Sequence, residues 1–367
     1  MKLLDGKLGL ALRLGTMIVA LLAGQQAMAV GTRAGTSVVN TATVNYRVGT
    51  VDQAPIDSNT VEFVVDRRVD FDLAPLGGAL VNVTPGEPDA FFDFLLTNDS
   101  NSELDFTLDL AQMVGGTVRG DTDDTDMATV DYAVSANSVG NGDTDPLRLG
   151  PQFIDELAAD DAIRIRVFGD AALTMLNGQV AGVQLDATAG EPGTAGVEGG
   201  ALVEAANTDL GVENVFAEDG ASSDGIETEF DGWITVAADV AVNKSYTVIA
   251  GDLGSGLPIP GATVEYVIEI VNSSTTPATN VVITDTIDTD VTLNLNVVAY
   301  GGEDIDIDNN GTPLPCDLEN NADGDGCDLV GNDVTVGDLA EVAITVGPTS
   351  TMTLTYQVTI PDPDPTP

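Results

Sequence analysis

Apolar and polar residues alternate along most of the chain, and this pattern constrains the fold more than any other feature. Residues 42–48 and 106–110 both show the period of two. A later stretch alternates apolar residues with threonine and glutamine: Met352, Leu354, Tyr356, Val358 and Ile360. Because successive side chains of a strand point to opposite faces, the pattern predicts half-buried antiparallel strands. Helical periodicity is nearly absent, so the predicted fold class is all-β.

An internal repeat predicts the domain boundaries. Residues 85–108 align with residues 260–283 through a Pro-Gly turn, an alternating strand, an Asn-rich turn and a further strand. The repeat predicts two tandem immunoglobulin-like β-sandwich domains, preceded by an N-terminal strand segment and followed by a short tail. The predicted ranges are 30–66 (strand segment), 67–236 (sandwich 1), 237–360 (sandwich 2) and 361–367 (Pro/Asp tail).

Residues 1–29 have the parts of a secretory signal peptide. Basic residues precede an apolar run over residues 16–23, and a small-x-small cleavage pattern follows at residues 27–29. The apolar run is shorter than the roughly 20 residues that span a bilayer, which favours a cleaved signal over an anchor. The sequence therefore predicts a secreted protein that is associated with the cell surface and has no membrane anchor of its own.

The chain is strongly acidic, with 59 Asp and Glu residues against 12 Lys and Arg residues. Nucleic acid and anionic lipid are poor partners for such a chain, because both bind positive surfaces. Two interpretations of the acidity stay open: a solvated surface suited to salty water, or carboxylates that bind divalent cations. Since 43% of residues are hydrophobic, the chain can still build packed cores.

Cys316 and Cys327 are the two cysteines of the chain. In an exported protein they are expected to form a disulfide, because thiols persist poorly outside the cytoplasm. The sequence contains no histidine, which disfavours both a zinc site and general base catalysis. It also lacks a Gly-x-Ser-x-Gly motif and a phosphate-binding loop. We therefore predict that the protein is not an enzyme.

Three runs in the second repeat carry a family resemblance: IPGATVEY at 259–266, IVN at 270–272 and PATNVVITD at 277–285. Together they resemble the bacterial "conserved repeat" domain of unknown function, the eleventh in its series. The upstream runs at 40–46 and 58–66 are also similar to proteins of this group. The resemblance implies an immunoglobulin-like sandwich in a secreted or cell-surface protein, and it implies no activity.

In that family, a repeat usually closes with a strand of the type Asn-Thr-Ala-Thr-Val. Here that segment comes first, at residues 40–44, whereas the second domain stops after the strand at 352–360. The sequence thus predicts a donor strand made of Asn40, Ala42, Val44, Tyr46 and Val48. The predicted acceptor edge consists of Leu354, Tyr356, Val358 and Ile360.

If the donor strand completes the second sandwich of a neighbour, copies of the chain join head to tail into a filament. The predicted partner is therefore another copy of this chain. Two alternatives stay open. The N-terminal segment could form a hairpin packed on the first domain of its own chain, and the protein could be a monomeric, calcium-dependent adhesion module. The sequence does not identify an external ligand.

Two acidic runs in the second domain match the start of a calcium-binding loop. Oxygen ligands two residues apart converge on a hard cation when a Gly-kinked loop wraps around it. Position twelve of the loop lacks the usual glutamate, so a solvated acidic loop is the alternative. The predicted cofactor is calcium, with the ligands Asp306, Asp308, Asn310, Asp317, Asn321, Asp323 and Asp325.

Lys244 is the only lysine beyond the predicted signal peptide. In Gram-positive pilin sandwiches, a lysine at a similar place bonds to an asparagine of the last strand, with an acid nearby. By that analogy, Lys244 would cross-link to Asn40 of a neighbouring copy, with Asp285 as the acid. An exposed or salt-bridged lysine is the alternative.

Overall fold

The computed structural model is all-β, as the alternation predicts, and contains two β-sandwiches after an N-terminal hairpin. The described residues are 31–139, 153–204, 211–217, 224–251, 256–318, 324–337 and 342–362. Within them, the helical structure is a single 3-10 turn at Val298–Tyr300. No helix in the described ranges is long and apolar enough to cross a membrane. The predicted signal peptide and the last five residues lie outside these ranges.

The N-terminal segment folds back on itself as an antiparallel hairpin, in which β1 pairs with β6, β2 with β5 and β3 with β4. Gly49 supplies the positive φ of 65° that the connecting turn needs. Asn101 of the first domain holds the base of the hairpin by donating to the carbonyls of Thr32 and Asp66. The strands are β1 (Ser37–Asn40), β2 (Thr43–Val44), β3 (Arg47–Val48), β4 (Val51–Asp52), β5 (Ile56–Asp57) and β6 (Val61–Val64).

Domain 1 is a sandwich of two sheets with the strand orders β14-β16-β10-β8 and β15-β11-β17-β19-β9. Its core contains the fully buried side chains of Trp233, Phe94 and Phe106. The strands are β7 (Arg67–Val69), β8 (Phe71–Leu76), β9 (Val81–Val83), β10 (Ala90–Asn98), β11 (Leu104–Gln112), β12 (Thr117–Val118), β13 (Asp121–Thr122), β14 (Thr129–Val134), β15 (Phe153–Leu157), β16 (Ala162–Asp170), β17 (Val180–Gly190), β18 (Asn214–Phe216) and β19 (Ile226–Thr235).

Domain 2 has one large sheet with the order β20-β21-β30-β25-β26, and β24 also pairs with β30. The facing layer contains the pair β22-β29 and the three strands β23-β28-β27. Its separate core includes Ile270, Ile305 and Met352. The strands are β20 (Val240–Ala250), β21 (Thr263–Asn272), β22 (Ala278–Val281), β23 (Ile283–Thr286), β24 (Thr292–Leu293), β25 (Ile305–Asn309), β26 (Thr312–Leu314), β27 (Cys327–Val330), β28 (Asp333–Val336), β29 (Ile344–Val346) and β30 (Ser350–Thr359).

A buried asparagine marks equivalent positions in the two domains. Asn98 donates its side-chain amide to the carbonyls of Ser102, Leu157 and Ala158 at 2.8 to 3.3 Å. Asn272 makes the same three kinds of contact, to the carbonyls of Thr276, Val346 and Gly347. The repeat in the sequence therefore corresponds to a repeated packing motif, and this asparagine allows the strands of the two sandwiches to be compared by position.

The prediction that β30 forms the acceptor edge is wrong. β21 pairs with all ten residues of β30 on one side. On its other side, β25 pairs with residues 352–356 and β24 with residues 358–359. Leu354, Tyr356 and Val358 are therefore buried in the middle of a sheet, and Ile360 bonds to the backbone of residues 261–262. A strand with both sides paired cannot accept another strand.

Candidate functional site

Domain 1 shows what a complete sandwich of this kind looks like. β17 pairs with one side of β11, and β19 pairs with β17, so both strands extend the second sheet. β19 lies against β8, and Phe71 of β8 also packs on Phe106 of β11 at a ring-centroid distance of 4.9 Å. Phe71 and Leu73 of β8 are only 3% and 1% exposed.

The corresponding strand of domain 2, β20, has an uncovered inner face. Phe71 pairs with Asn98, and Val240 pairs with the equivalent Asn272, so Val240 and Val242 take the positions of Phe71 and Leu73. Val240 is 42% exposed and Val242 is 67% exposed. Tyr246, which follows Lys244 on the same face, is 63% exposed. These apolar side chains point toward the interior of a sandwich but lie open to solvent.

The facing layer of domain 2 has a free strand edge beside this uncovered face. In domain 1, β11 pairs with β15 on one side and with β17 on the other. In domain 2, the β22 half of the equivalent strand pairs with β29 and the β23 half pairs with β28, so each half has a single partner strand. No strand of the described ranges pairs with its other side. Domain 2 therefore lacks, within those ranges, counterparts of both β17 and β19.

The N-terminal hairpin has one mainly polar face, which also carries Val39, and one apolar face. Side chains on the polar face bond to each other across the strands, in the pairs Ser37–Glu62, Thr41–Thr60, Thr43–Asp57 and Arg47–Asp52. Since side chains alternate, the intervening residues point the opposite way. They form the apolar face: Val38, Ala42, Val44, Tyr46 and Val48 on the first arm, and Val51, Ile56, Val61 and Phe63 on the second.

The apolar face of the hairpin is exposed to solvent in the single chain. Val44 is 59% exposed, Tyr46 43% and Phe63 53%. The strand pairing fits the alternative of a hairpin within its own chain, but the large apolar side chains of this face stay exposed and are not buried against domain 1. All five residues predicted as the donor strand lie on this face, including Asn40 as its polar member in the first arm.

Lys244 and Asp285 form an ion pair in domain 2, which fits both the cross-link analogy and the alternative of a salt-bridged lysine. Lys244 Nζ lies 2.6 Å from Asp285 Oδ2, and the Tyr356 hydroxyl donates to the same oxygen at 2.6 Å. Nζ also lies 4.8 Å from the ring centroid of Tyr266, within cation–π range. Burial and the bond to Asp285 raise the pKa of the Tyr356 phenol, which stays protonated as a donor. Asn40, the third member of the predicted cross-link, lies in the N-terminal hairpin. Its bond to Lys244 of a neighbouring copy stays a prediction.

The first predicted calcium run forms a hairpin rather than a loop. Asp306 and Asp308 lie on the exposed face of β25, opposite the buried Ile305 and Ile307. Asn310 and Gly311, at φ values of 53° and 83°, form the two-residue turn into β26. An Asn-Gly pair favours this turn because both positions need positive φ. These residues therefore belong to a hairpin and do not form the first half of an EF-hand-like loop.

The second predicted calcium run is partly described. Asn321 and Asp323 lie outside the described residues. The Asp325 carboxylate accepts the backbone N–H groups of Asp317 and Cys327, which organises the segment around the disulfide. No group of three acidic or cysteine side chains suited to a metal ion occurs in the described part of the chain. Calcium binding stays a prediction.

The predicted disulfide between Cys316 and Cys327 is confirmed, with a Cα–Cα distance of 5.4 Å. Both residues are buried in the core of domain 2. Buried Asp304 accepts the N–H groups of Asn296 and Leu318, at 2.5 and 2.7 Å, and thereby fixes the chain beside the disulfide. The loop therefore belongs to the packed structure of the domain.

Replacing both cysteines with serine is expected to lower the free energy of unfolding of domain 2 by about 2 to 3 kcal/mol, because the disulfide restricts the unfolded chain. Urea titration followed by circular dichroism measures the loss. Trp233 is the only tryptophan and lies in the core of domain 1, so its fluorescence transition provides an internal control that should not move. An unchanged circular dichroism transition would contradict a stabilising role for the disulfide.

The sequence did not point to Val240, Val242 and Tyr246 as site residues, or to the free edge of β22–β23. A signal for the first group was present, because apolar residues alternate through Val240, Val242, Tyr246 and Val248, with Lys244 as the one polar member of the series. That pattern predicts a half-buried strand, so the exposure of these side chains could be recognised only from the fold.

No protein-family model matches this chain, and no curated protein matches it either. Among solved structures, the chain is similar to the C-terminal domain of the Streptococcus agalactiae AgI/II polypeptide BspA (8% identity, TM-score 0.33, covering 80% of this chain and 91% of that one). It is also similar to a collagen adhesin from S. aureus (14% identity, TM-score 0.20, 79% and 81% covered). At these values the likeness concerns the all-β fold and carries nothing about function.

Proposed function

We propose that this protein is an extracellular structural subunit that assembles head to tail into a filament. The N-terminal hairpin of one copy would complete domain 2 of the next. The observation that carries the proposal is the uncovered inner face of β20, whose counterpart in domain 1, β8, is buried against β19 and Phe106 of β11. The same chain presents a two-stranded hairpin with an exposed apolar face, which is the kind of element that the described part of domain 2 lacks.

Burial of apolar surface would drive this contact. Fully burying one valine or aromatic side chain contributes about 1.5 to 3 kcal/mol, and several half-exposed ones lie on each partner surface. Backbone hydrogen bonds along the free edge of β22–β23 would add affinity, as in other cases of strand addition. The two surfaces differ from each other, so the contact is heterologous, and its repetition produces an open chain of subunits rather than a closed dimer.

Three further features belong to the proposal. Export and a location at the cell surface follow from the predicted signal peptide, and the absence of histidine supports a non-enzymatic role. Calcium would act by reducing repulsion between subunits, since the chain carries a formal net charge of −47. Neither nucleic acid nor anionic lipid is expected as a partner of so acidic a chain.

Negative-stain electron microscopy of purified residues 30–367 tests the proposal. We expect uniform fibres in buffer with calcium, and shorter or fewer fibres after chelation with EDTA. Fibres that are unaffected by EDTA would remove calcium from the proposal and leave the filament in place. Dispersed single particles in both buffers would contradict the filament and favour a monomeric adhesion module.

A further inference from the structure

The geometry of domain 1 points to one specific docking mode for the hairpin. We infer that its first arm adds antiparallel to the free edge of β22–β23, while its second arm covers β20. Thr43 of the donor would then lie directly opposite Thr284 of the acceptor. This inference rests on the proposed function and deepens it, because it names the strand, the direction and the register of the contact.

The acceptor positions follow from pairings that the two domains share. Leu104 pairs with Leu157 as Ala278 pairs with Val346. Leu157 and Val346 are equivalent because the carbonyl of each accepts the side-chain amide of the buried asparagine in its domain. A bulge at Asn280, with a φ of 56°, adds one residue in domain 2. Beyond the bulge, Phe106 and Val281 are equivalent, because they pair with Ile154 and Ile344.

Continuing along the strand, Ile283 corresponds to Leu108, Thr284 to Asp109 and Asp285 to Leu110. In domain 1, these positions of β11 lie opposite Ala187, Asp186 and Leu185 of β17. A strand that replaces β17 must therefore present one residue opposite each of Ile283, Thr284 and Asp285.

An aromatic residue on the second arm fixes which donor residues these are. In domain 1, Trp233 of β19 pairs with Ala181 of β17, and its ring centroid lies 4.7 Å from that of Phe92. Phe92 precedes Asn98 by six residues, as Tyr266 precedes Asn272. Phe63 is the aromatic residue on the second arm of the hairpin, and it pairs with Val38.

Placing Phe63 over Tyr266, where Trp233 lies over Phe92, assigns Val38 to the position of Ala181. Counting along the first arm then places Thr43 at the position of Asp186 and Val44 at that of Ala187. Thr43 thus lies opposite Thr284, and Val44 opposite Ile283. Both threonines point outward and are exposed in the single chain.

Side-chain size supports the same register. In domain 1, two large rings, Phe71 and Phe106, fill one layer of the core at a centroid distance of 4.9 Å, and β17 adds only Ala189 there. In domain 2, the two acceptor positions of this layer hold the smaller Val240 and Val281. The register places Tyr46 of the donor at the Ala189 position, so the large side chain of this layer comes from the donor.

Two layers further along, past Val44 at the Ala187 position, the exchange is the reverse. Leu185 of β17 is replaced by the small Ala42, opposite Asp285. This leaves room for the Lys244–Asp285 ion pair, which occupies the inner side of domain 2 at this level. A shift by one residue would turn the polar face of the hairpin inward, because side chains alternate along a strand. A shift by two would move Phe63 away from Tyr266 and Tyr46 away from the two valines.

Cysteine cross-linking in assembled fibres tests the register. The variant Thr43→Cys/Thr284→Cys places two thiols on directly opposite residues, where Cα atoms lie about 4.5 to 5.5 Å apart and a disulfide can form. Thr41→Cys/Thr284→Cys and Asn45→Cys/Thr284→Cys are matched controls displaced by two residues, with diagonal distances of about 7 to 8 Å. After mild oxidation, we expect a ladder of covalent multimers on a non-reducing gel, at least about five times stronger for the first pair.

The outcomes separate this inference from the proposed function. A stronger ladder from either control pair overturns the register. Fibres without a ladder from any pair overturn docking at the β22–β23 edge while the filament proposal stands. An oxidised product that remains monomeric shows that the hairpin completes its own chain and contradicts both. If the unmodified protein forms no fibres, the proposed function itself fails.

Discussion

A Val44→Lys variant is expected to remain monomeric at concentrations where the unmodified protein forms fibres. Val44 is 59% exposed in the single chain, so the lysine is solvated there and the subunit folds. In the assembled state the same position faces the core of the acceptor, where an unpaired charge costs several kcal/mol. Since about 1.4 kcal/mol corresponds to a factor of ten, the concentration needed for assembly should rise at least about 100-fold. Light scattering against protein concentration measures this threshold.

The matched control for this variant is Asn45→Lys. It adds the same charge one residue further along, on the polar face of the hairpin, and should assemble at nearly the original threshold. On the acceptor, Val242→Lys and Asn243→Lys form a second pair of the same design, because they lie on the inner and outer faces of β20. Fibre formation by Val44→Lys at the original threshold would contradict the assignment of the apolar face as the docking surface.

The same variant also tests the polarity of growth. Val44→Lys copies keep an intact domain 2, so each can accept a hairpin but cannot donate one. Small amounts mixed with unmodified protein should therefore cap one fibre end and shorten the fibres seen by electron microscopy. Fibres of unchanged length would contradict a contact that uses two different surfaces, one on each copy.

The sequence predicted the local features of this fold well. Alternation with period two depends on neighbouring residues, and it located strands such as β11 and β30 correctly. The repeat predicted two domains, and the two cores of the structure lie within the predicted ranges. The presence of two cysteines in a chain with a predicted export signal also sufficed for the disulfide, which joins residues separated by 11 positions.

Strand order was the part that the sequence did not reveal. The alternation over residues 352–360 predicts a half-buried strand, and such a strand can lie either at the edge or in the middle of a sheet. Whether β30 has free sides depends on β21, which precedes it by some 80 residues, and on β25. The shape of the first acidic run was open for a related reason, because Asp-x-Asp-x-Asn-Gly fits both a metal loop and a strand that ends in an Asn-Gly turn. The run forms the hairpin, in which β25 pairs with the distant β30, and calcium binding stays a prediction. In each case, pairing between distant segments decided between two local descriptions.

Domain 2 is expected to become more stable when a hairpin completes it. Covering the exposed side chains of Val240, Val242 and Tyr246 should contribute about 3 kcal/mol on the acceptor side alone, since each is already partly buried. For a domain of this size, that gain corresponds to a rise in Tm of roughly 10 °C. Differential scanning calorimetry of monomers and fibres measures the shift, while Trp233 fluorescence reports separately on domain 1.

Deletion of residues 31–66 identifies the source of that stability. The shortened chain should keep the Trp233 transition of domain 1, because Asn101 links the hairpin to this domain at its base alone. It should not polymerise, and its domain 2 should unfold at the temperature of the monomer. In fibres of the full chain, hydrogen exchange at residues 281–286 should slow by at least about 100-fold, since the free edge becomes paired. Equal exchange in monomers and fibres would place the docked hairpin somewhere other than on β22–β23.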